Sequence, residues 1–213
     1  TAEDIQRQHD EALQAMRAGD YAVAFCLLRP LAETGDAQAQ FSLGWMYHNG
    51  YGLAINNDKT LDWWLRAADQ QWADASFALG MLRSVGDGGR AGKDLARAVD
   101  HFLDAIRQGH PDAKAMLLTL MTRETKALSA ITSAWGEDQW ALLGSVAHIK
   151  VRRANVRKGP STKTRIVAKL KKGDALLELE RQGRWIHIAI PDKLPSAWVH
   201  DSLVEARQAA GGE

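Results

Sequence analysis

The sequence predicts a multidomain chain: an all-α solenoid of stacked helical hairpins followed by a small all-β barrel. Three observations lead there. Ala39-Gln40-Phe41-Ser42-Leu43-Gly44 recurs 36 residues later as Ala75-Ser76-Phe77-Ala78-Leu79-Gly80, and Gly50 and Gly52 recur as Gly86 and Gly88. Past the second glycine-rich turn the offset grows to 38, aligning Asn56, Leu61, Trp64 and Ala67 with Asp94, Val99, Phe102 and Ala105. Repeats of this length are helical hairpins that cannot bury their apolar faces alone and therefore stack. From Val146 onward the periodicity switches to two, with β-branched residues and frequent turns. The charge also divides: residues 1–145 hold 13 Lys+Arg against 19 Asp+Glu, whereas residues 146–205 hold 13 against 6. Opposite signs argue for two domains with different partners, or for domains that attract each other.

Taking the elements in order, Ala2 to Ala18 is a weakly apolar helix suited to capping, with Ile5, Leu13 and Met16 as its apolar positions. After Gly19-Asp20, the helix Tyr21 to Glu33 places Ala24, Leu28 and Leu31 on one face; Pro30 removes a donor and should kink its last turn. Gly35 fits a left-handed C′ position. The next hairpins take Ala37 to His48 with Lys59 to Gln70, then Asp74 to Ser84 with Asp94 to Gln108. Asp112 to Arg123 reads as the first helix of a further unit, and Glu124 to Trp135 closes the stack. The predicted organisation is a solenoid over 1–135, a linker with a short helix over 136–145, the barrel over 146–205 and a tail over 206–213.

Gly44 and Gly80 lie inside helices, where glycine costs about 1 kcal/mol against alanine. Close approach of the paired helix, through Ala67 or Ala105, is the expected compensation. Cys26, in the apolar run 22–28, reads as a small buried hydrophobe, and one thiol excludes an internal disulfide. No apolar run reaches the ~20 residues of a membrane-spanning helix. The chain begins at Thr1 without Met, as a processed or tag-trimmed chain would, and no signal peptide remains to be read.

The run from Asp36 through Phe41, Gly44, Trp45, Tyr47, Gly50 and Gly52, followed by Trp63-Trp64-Leu65-Arg66-Ala67-Ala68, resembles a Sel1-like repeat, a relative of the tetratricopeptide repeat with a longer glycine-containing turn. The segment 73–109 resembles it too, with Arg83 where Tyr is usual. The resemblance implies an adaptor scaffold whose first helices line a concave groove. Its partner-binding floor would then be Gln38, Phe41, Trp45, His48 and Asn49, with Asp74, Phe77, Met81 and Ser84 from the second unit. Phe41, Phe77 and Met81 fit a packed core equally well, and His48 fits a solvated helix end. Trp45 is left over once Leu43, Gly44 and Tyr47 supply the packed face, and tryptophan is a residue type enriched at interface hot spots.

In the second half, Ile149 alternates with Val151, Ile166 with Ala168 and Leu170, and Ile186, Ile188 and Ile190 share one face opposite Trp185 and His187. Five or six short strands in about 60 residues suggest a small barrel. Ala154-Asn155-Val156-Arg157-Lys158-Gly159-Pro160-Ser161, with Lys172-Gly173, Trp185 and Ala197-Trp198-Val199, resembles a bacterial SH3 domain over 146–205. Ala197 stands where that family usually has glycine. Such domains occur in cell-envelope proteins, where several bind peptidoglycan peptides, and the ligand candidates here are Trp185, Trp198, Asn155 and Arg157. The basic cluster that includes Lys150, Arg152, Arg153, Lys158, Lys169, Lys171 and Lys172 would suit an anionic polymer, and suits a plain solvated surface at least as well. Nucleic acid ranks below a wall polymer.

Catalytic signatures are lacking. The glycine-rich turn has no Gly-Lys-Ser/Thr, the seven histidines show no metal spacing, and Cys26 has no histidine and carboxylate beside it in sequence. No cofactor or metal is expected. The expected role is a non-catalytic adaptor of the periplasm or cell envelope, its solenoid groove holding a protein and its barrel holding peptidoglycan or another wall component. The alternatives are a structural subunit of a secretion or motility complex without glycan binding, and a regulator of a wall hydrolase.

Overall fold

The protein is described here by a computed structural model covering residues 2–86, 90, 92–190 and 194–206. Expectations for Gly88, for Pro191 and for the tail beyond 206 lie outside the described residues. The chain divides into two compact units, residues 1–113 and 114–213. The boundary expected from repeat spacing, at 135, falls inside the second.

The first unit is three helical hairpins: α1 (Ala2–Ala18) with α2 (Tyr21–Glu33), α3 (Ala37–Asn49) with α4 (Asn57–Asp69), and α5 (Ala73–Val85) with α6 (Leu95–Arg107). Each helix packs on the next in sequence. Local chemistry starts three of them: the side chains of Asp36, Asn56 and Asp94 accept from the N–H groups of Ala39, Lys59 and Arg97 at 2.8, 2.9 and 3.0 Å. Such caps satisfy donors that the first turn leaves unpaired. Gly35 has the left-handed φ its position requires, at +106°. The cap helix is tied back to the second hairpin by His9, buried, with Nε2 2.9 Å from Asp36 Oδ1.

The two helical glycines are explained by rings, and the expected alanines are not the answer. A Cβ on Gly44 would lie 2.4 Å from Cδ1 of Trp64, and one on Gly80 2.8 Å from the ring of Phe102. Ala67 and Ala105 are fully buried a turn further on.

Two other expectations need correction or completion. Cys26 is exposed. The buried face of α2 is set by Ala24, Leu28 and Leu31 at spacings of four and three, and Cys26, two residues after Ala24, is carried some 200° round the helix. It should therefore react in the folded protein with Ellman's reagent at about the rate of a small free thiol; protection lifted only by denaturant would contradict this placement. Helix α2 continues through Pro30 to Glu33. The donor that Pro30 lacks would have met the carbonyl of Cys26, on a side where both residues are open to water.

In the second unit, α7 (Ala113–Arg123), α8 (Thr125–Thr132) and α9 (Glu137–Leu143) precede seven strands: β1 (Ser145–Ile149), β2 (Arg153–Arg157), β3 (Ile166–Lys171), β4 (Ala175–Gln182), β5 (Trp185–Ile190), β6 (Leu194–His200) and β7 (Val204–Ala206). They form one antiparallel sheet in the order β3-β2-β6-β5-β4-β1-β7. Ile149, Val156, Leu170, Leu176, Ile188 and Val199 are at most 1% exposed and belong to one core cluster fed by all seven strands. Among the described residues that cluster draws only on the strands and the turns between them, so its residues are hidden because the sheet rolls round them, as in a small barrel. The segment read as a linker takes part in this packing: α9 lies on β1 and β4, with Leu143 fully buried and Trp140 edge-on to Trp135 at 4.9 Å.

Candidate functional site

Between α3 and α5 runs an open trough of about 610 Å³. Its α3 wall carries Phe41, Trp45 and His48; its α5 wall carries Asp74, Phe77, Met81 and Val85; Trp64, Ala78 and Leu82 lie beneath. The walls follow from helical spacing, since residues four apart share a face. Eight large hydrophobic side chains are exposed among the described residues, and three of them, Trp45 at 40%, Met81 at 36% and Val85 at 62%, line this trough. Contiguous exposed apolar patches occur at protein interaction sites, ligand grooves and membrane contacts.

The rings are mutually braced. Trp64 donates its Nε1 hydrogen to the carbonyl of Phe41 at 3.2 Å. Trp45 and Trp64 have centroids 6.3 Å apart, and His48 lies 5.2 Å from Trp64. On the other wall Phe77 stacks on His110 at 4.1 Å. His110 Nδ1 accepts from the N–H of Asp112 at 3.2 Å, which leaves its proton on Nε2, 3.5 Å from Asp74 Oδ1. The Asp74 side chain stays half exposed. His48 Nδ1 is buried without a hydrogen-bond partner.

Six of the nine groove residues expected from sequence, Phe41, Trp45, His48, Asp74, Phe77 and Met81, come together in this trough. Three do not line it. Ser84 is buried and bonds back to the Met81 carbonyl at 2.7 Å, Asn49 bonds back to the Trp45 carbonyl at 2.9 Å, and Gln38 is half-buried at the helix start. Sequence reasoning missed Asn57, Trp64, Val85 and His110. Val85 was within reach, four residues beyond Met81; His110 was not, because it follows the third hairpin and only the fold returns it to Phe77.

A second groove of about 320 Å³, between α2 and α4, differs in character. Arg29, Lys59 and Arg66 lie over the rings of Phe25, Tyr47 and Trp63 at 6.0, 4.8 and 4.7 Å, and Arg29 pairs with Glu33 at 2.7 Å. Its aromatic faces are already covered by cations.

On the barrel, the four residues expected as ligand contacts share the outward side of the sheet. Asn155 and Arg157 alternate with inward Ala154 and Val156 on β2; Trp185 alternates with inward Ile186 on β5; Trp198 lies between inward Ala197 and Val199 on β6. Arg157, Trp198 and His187 are register partners across β2, β6 and β5. His187 stacks on Trp198 at 4.7 Å and shares a hydrogen bond of 2.9 Å with Ser196. Trp185 meets the edge of His200 at 5.4 Å. Arg157 donates to the Thr164 carbonyl at 2.7 Å, so part of its guanidinium is committed to the neighbouring loop. Among the described residues no cluster of three or more His, Cys, Asp or Glu could hold a metal ion.

These two folds define a class: a helical-repeat scaffold followed in sequence by a small β-domain. Residues 37–72 and 73–110 match the Sel1 repeat family and residues 152–205 match the bacterial SH3 domain family. The chain is a Sel1-repeat protein with a bacterial SH3 domain. Among solved structures, it is similar to c5321, a protective antigen of uropathogenic Escherichia coli displaying an SLR fold, at 25% identity and a TM-score of 0.47, over 58% of this chain and 24% of that one. It is also similar to a Sel1 repeat protein from Oxalobacter formigenes, at 21% identity and a TM-score of 0.49, over 56% and 49%. The chain thus spans about a quarter and a half of their lengths. No helix among the described residues is long and apolar enough to cross a membrane.

Proposed function

We propose that this protein is a non-catalytic adaptor of the bacterial cell envelope, holding a protein partner in the trough between α3 and α5 and a wall component, peptidoglycan foremost, on the outward face of the barrel. The observation that carries the first half is the exposure of Trp45 and Met81 to solvent over a braced aromatic floor. Supporting the second half are the family match and the row Arg157–Trp198–His187, an aromatic flanked by a cation and an imidazole.

A photoreactive amino acid in place of Val85, followed by crosslinking in whole cells and mass spectrometry, tests the trough. A discrete protein partner is expected. Met81→Arg should weaken it roughly thirtyfold, a hot-spot loss of about 2 kcal/mol. Crosslinks indifferent to Met81→Arg would count against the trough. For the barrel, the full chain should sediment with purified sacculi, and Trp185→Ala should release it into the supernatant. If the unaltered protein never leaves the supernatant, the glycan half of the proposal is wrong.

A further inference from the structure

The geometry points to a cationic amphipathic peptide segment as the occupant of the trough: two bulky apolar side chains over Trp45 and Met81, with a lysine or arginine reaching Asp74. This deepens the reading of the trough as a partner site and rests on it. Asp74 stands in the first turn of α5 and Val85 in its last, eleven residues on, so the α5 wall is about 16 Å long. That length suits a segment of roughly five extended residues at ~3.3 Å each or about three turns of helix.

The chemistry along the wall is graded. Its middle is apolar and aromatic, which selects large aliphatic or aromatic side chains. Among the described lining residues Asp74 is the one Asp, Glu, Lys or Arg, and its near neighbour His110 has Nε2 at 3.5 Å. A partner that covers Asp74 without a cation strips water from a carboxylate and leaves it unpaired, which is costly. A cation placed there makes a charge-assisted bond instead. The wider field has the same sign: residues 1–113 hold 10 Lys+Arg against 16 Asp+Glu, a balance of −6. An acidic segment would be repelled before contact, and a basic one steered in. At the other end of the α3 wall, His48 Nδ1 is buried and unpaired, a polar atom left for a polar group of the bound segment to meet.

The test is selection of a random dodecapeptide library on the full chain, followed by fluorescence polarisation with the most enriched peptide. The expected consensus is two bulky apolar residues with a Lys or Arg. Asp74→Asn should weaken that peptide about two- to fivefold, as for a half-exposed pair, and the effect should shrink at high salt. Met81→Arg should weaken binding roughly thirtyfold, as for the protein partner; Met81 and Asp74 are both exposed, and circular dichroism should show each variant folded. If the enriched peptides are apolar but neutral or acidic, or if Asp74→Asn changes nothing, the cationic class is wrong; the trough survives provided Met81→Arg still weakens binding to that extent. If no selected peptide responds to Met81→Arg, the trough reading falls with it.

Discussion

Gly44→Leu is expected to lower the melting temperature of the helical unit by about 10 °C or more, from an overpacking cost of about 3 kcal/mol. The ring of Trp64 occupies the space a Cβ would take, with Cδ1 at 2.4 Å and Nε1 at 2.5 Å from it. Trp64 cannot swing away cheaply, being 2% exposed and bonded through Nε1 to the Phe41 carbonyl. Glycine therefore offsets its own helix cost of about 1 kcal/mol by letting an indole lie against the α3 backbone. Trp64→Ala alone should cost about 3–5 kcal/mol. The two changes must then be non-additive: the double variant should be more stable than the summed losses predict, by at least about 1 kcal/mol. Strict additivity, measured by urea denaturation, would mean that the ring is not what the glycine accommodates. The same experiment applies at Gly80 with Phe102, where the ring is 2.8 Å from the added carbon. Both pairs brace trough walls, so Gly44→Leu should also impair partner binding without touching an exposed residue.

This contact shows what could and could not be read from the chain. The repeat offsets placed the second and third hairpins, because a stacked unit must present its apolar residues at matching positions to bury them; the first was read from its own apolar positions and the Gly19-Asp20 turn. The offsets identified Gly44 and Gly80 as points of close approach but not the side chains that approach. Ala67 and Trp64 are three residues apart and share a face of α4, so periodicity cannot choose between a small residue packing flat and a large ring reaching across. Trp45 was separable from the core because Leu43 and Tyr47 already filled the packed positions. Asn49 and Ser84 were not separable from groove residues, since both are short polar side chains at a helix end. The fold resolves them through the backbone carbonyls they bond, those of Trp45 and Met81. Cys26 illustrates a different failure: an apolar run says nothing about angle, and Ala24, Leu28 and Leu31 set the buried face without it.

In the barrel, Ile188→Ala should remove about 2–5 kcal/mol. A domain of some 60 residues has a total stability of roughly 3–9 kcal/mol, so this single truncation takes from about a fifth of it to the whole. Ile188 is fully buried in the core that all seven strands share. Native-state hydrogen exchange should then show the amides of β5 and its partners β4 and β6 losing protection together, with the helical unit unaffected. Ile166→Ala is the contrast, expected within about 0.5 kcal/mol of neutral, because Ile166 is 39% exposed. Alternation along β3 puts Ile166, Ala168 and Leu170 on one face, yet only Leu170 is fully buried. The reason lies across the ladder: pairing with β2 shifts register between Val156 and Arg157, so Ala168 faces inward Val156 while Ile166 is brought opposite outward Arg157. A bulge of this kind re-aims the residues beyond it. Should Ile166→Ala prove as damaging as Ile188→Ala, that shift is absent and β3 alternates unbroken. The outward row of Arg157, Trp198 and His187 would stand in either case, because it is set by the pairing of β6 with β2 and β5 and not by β3.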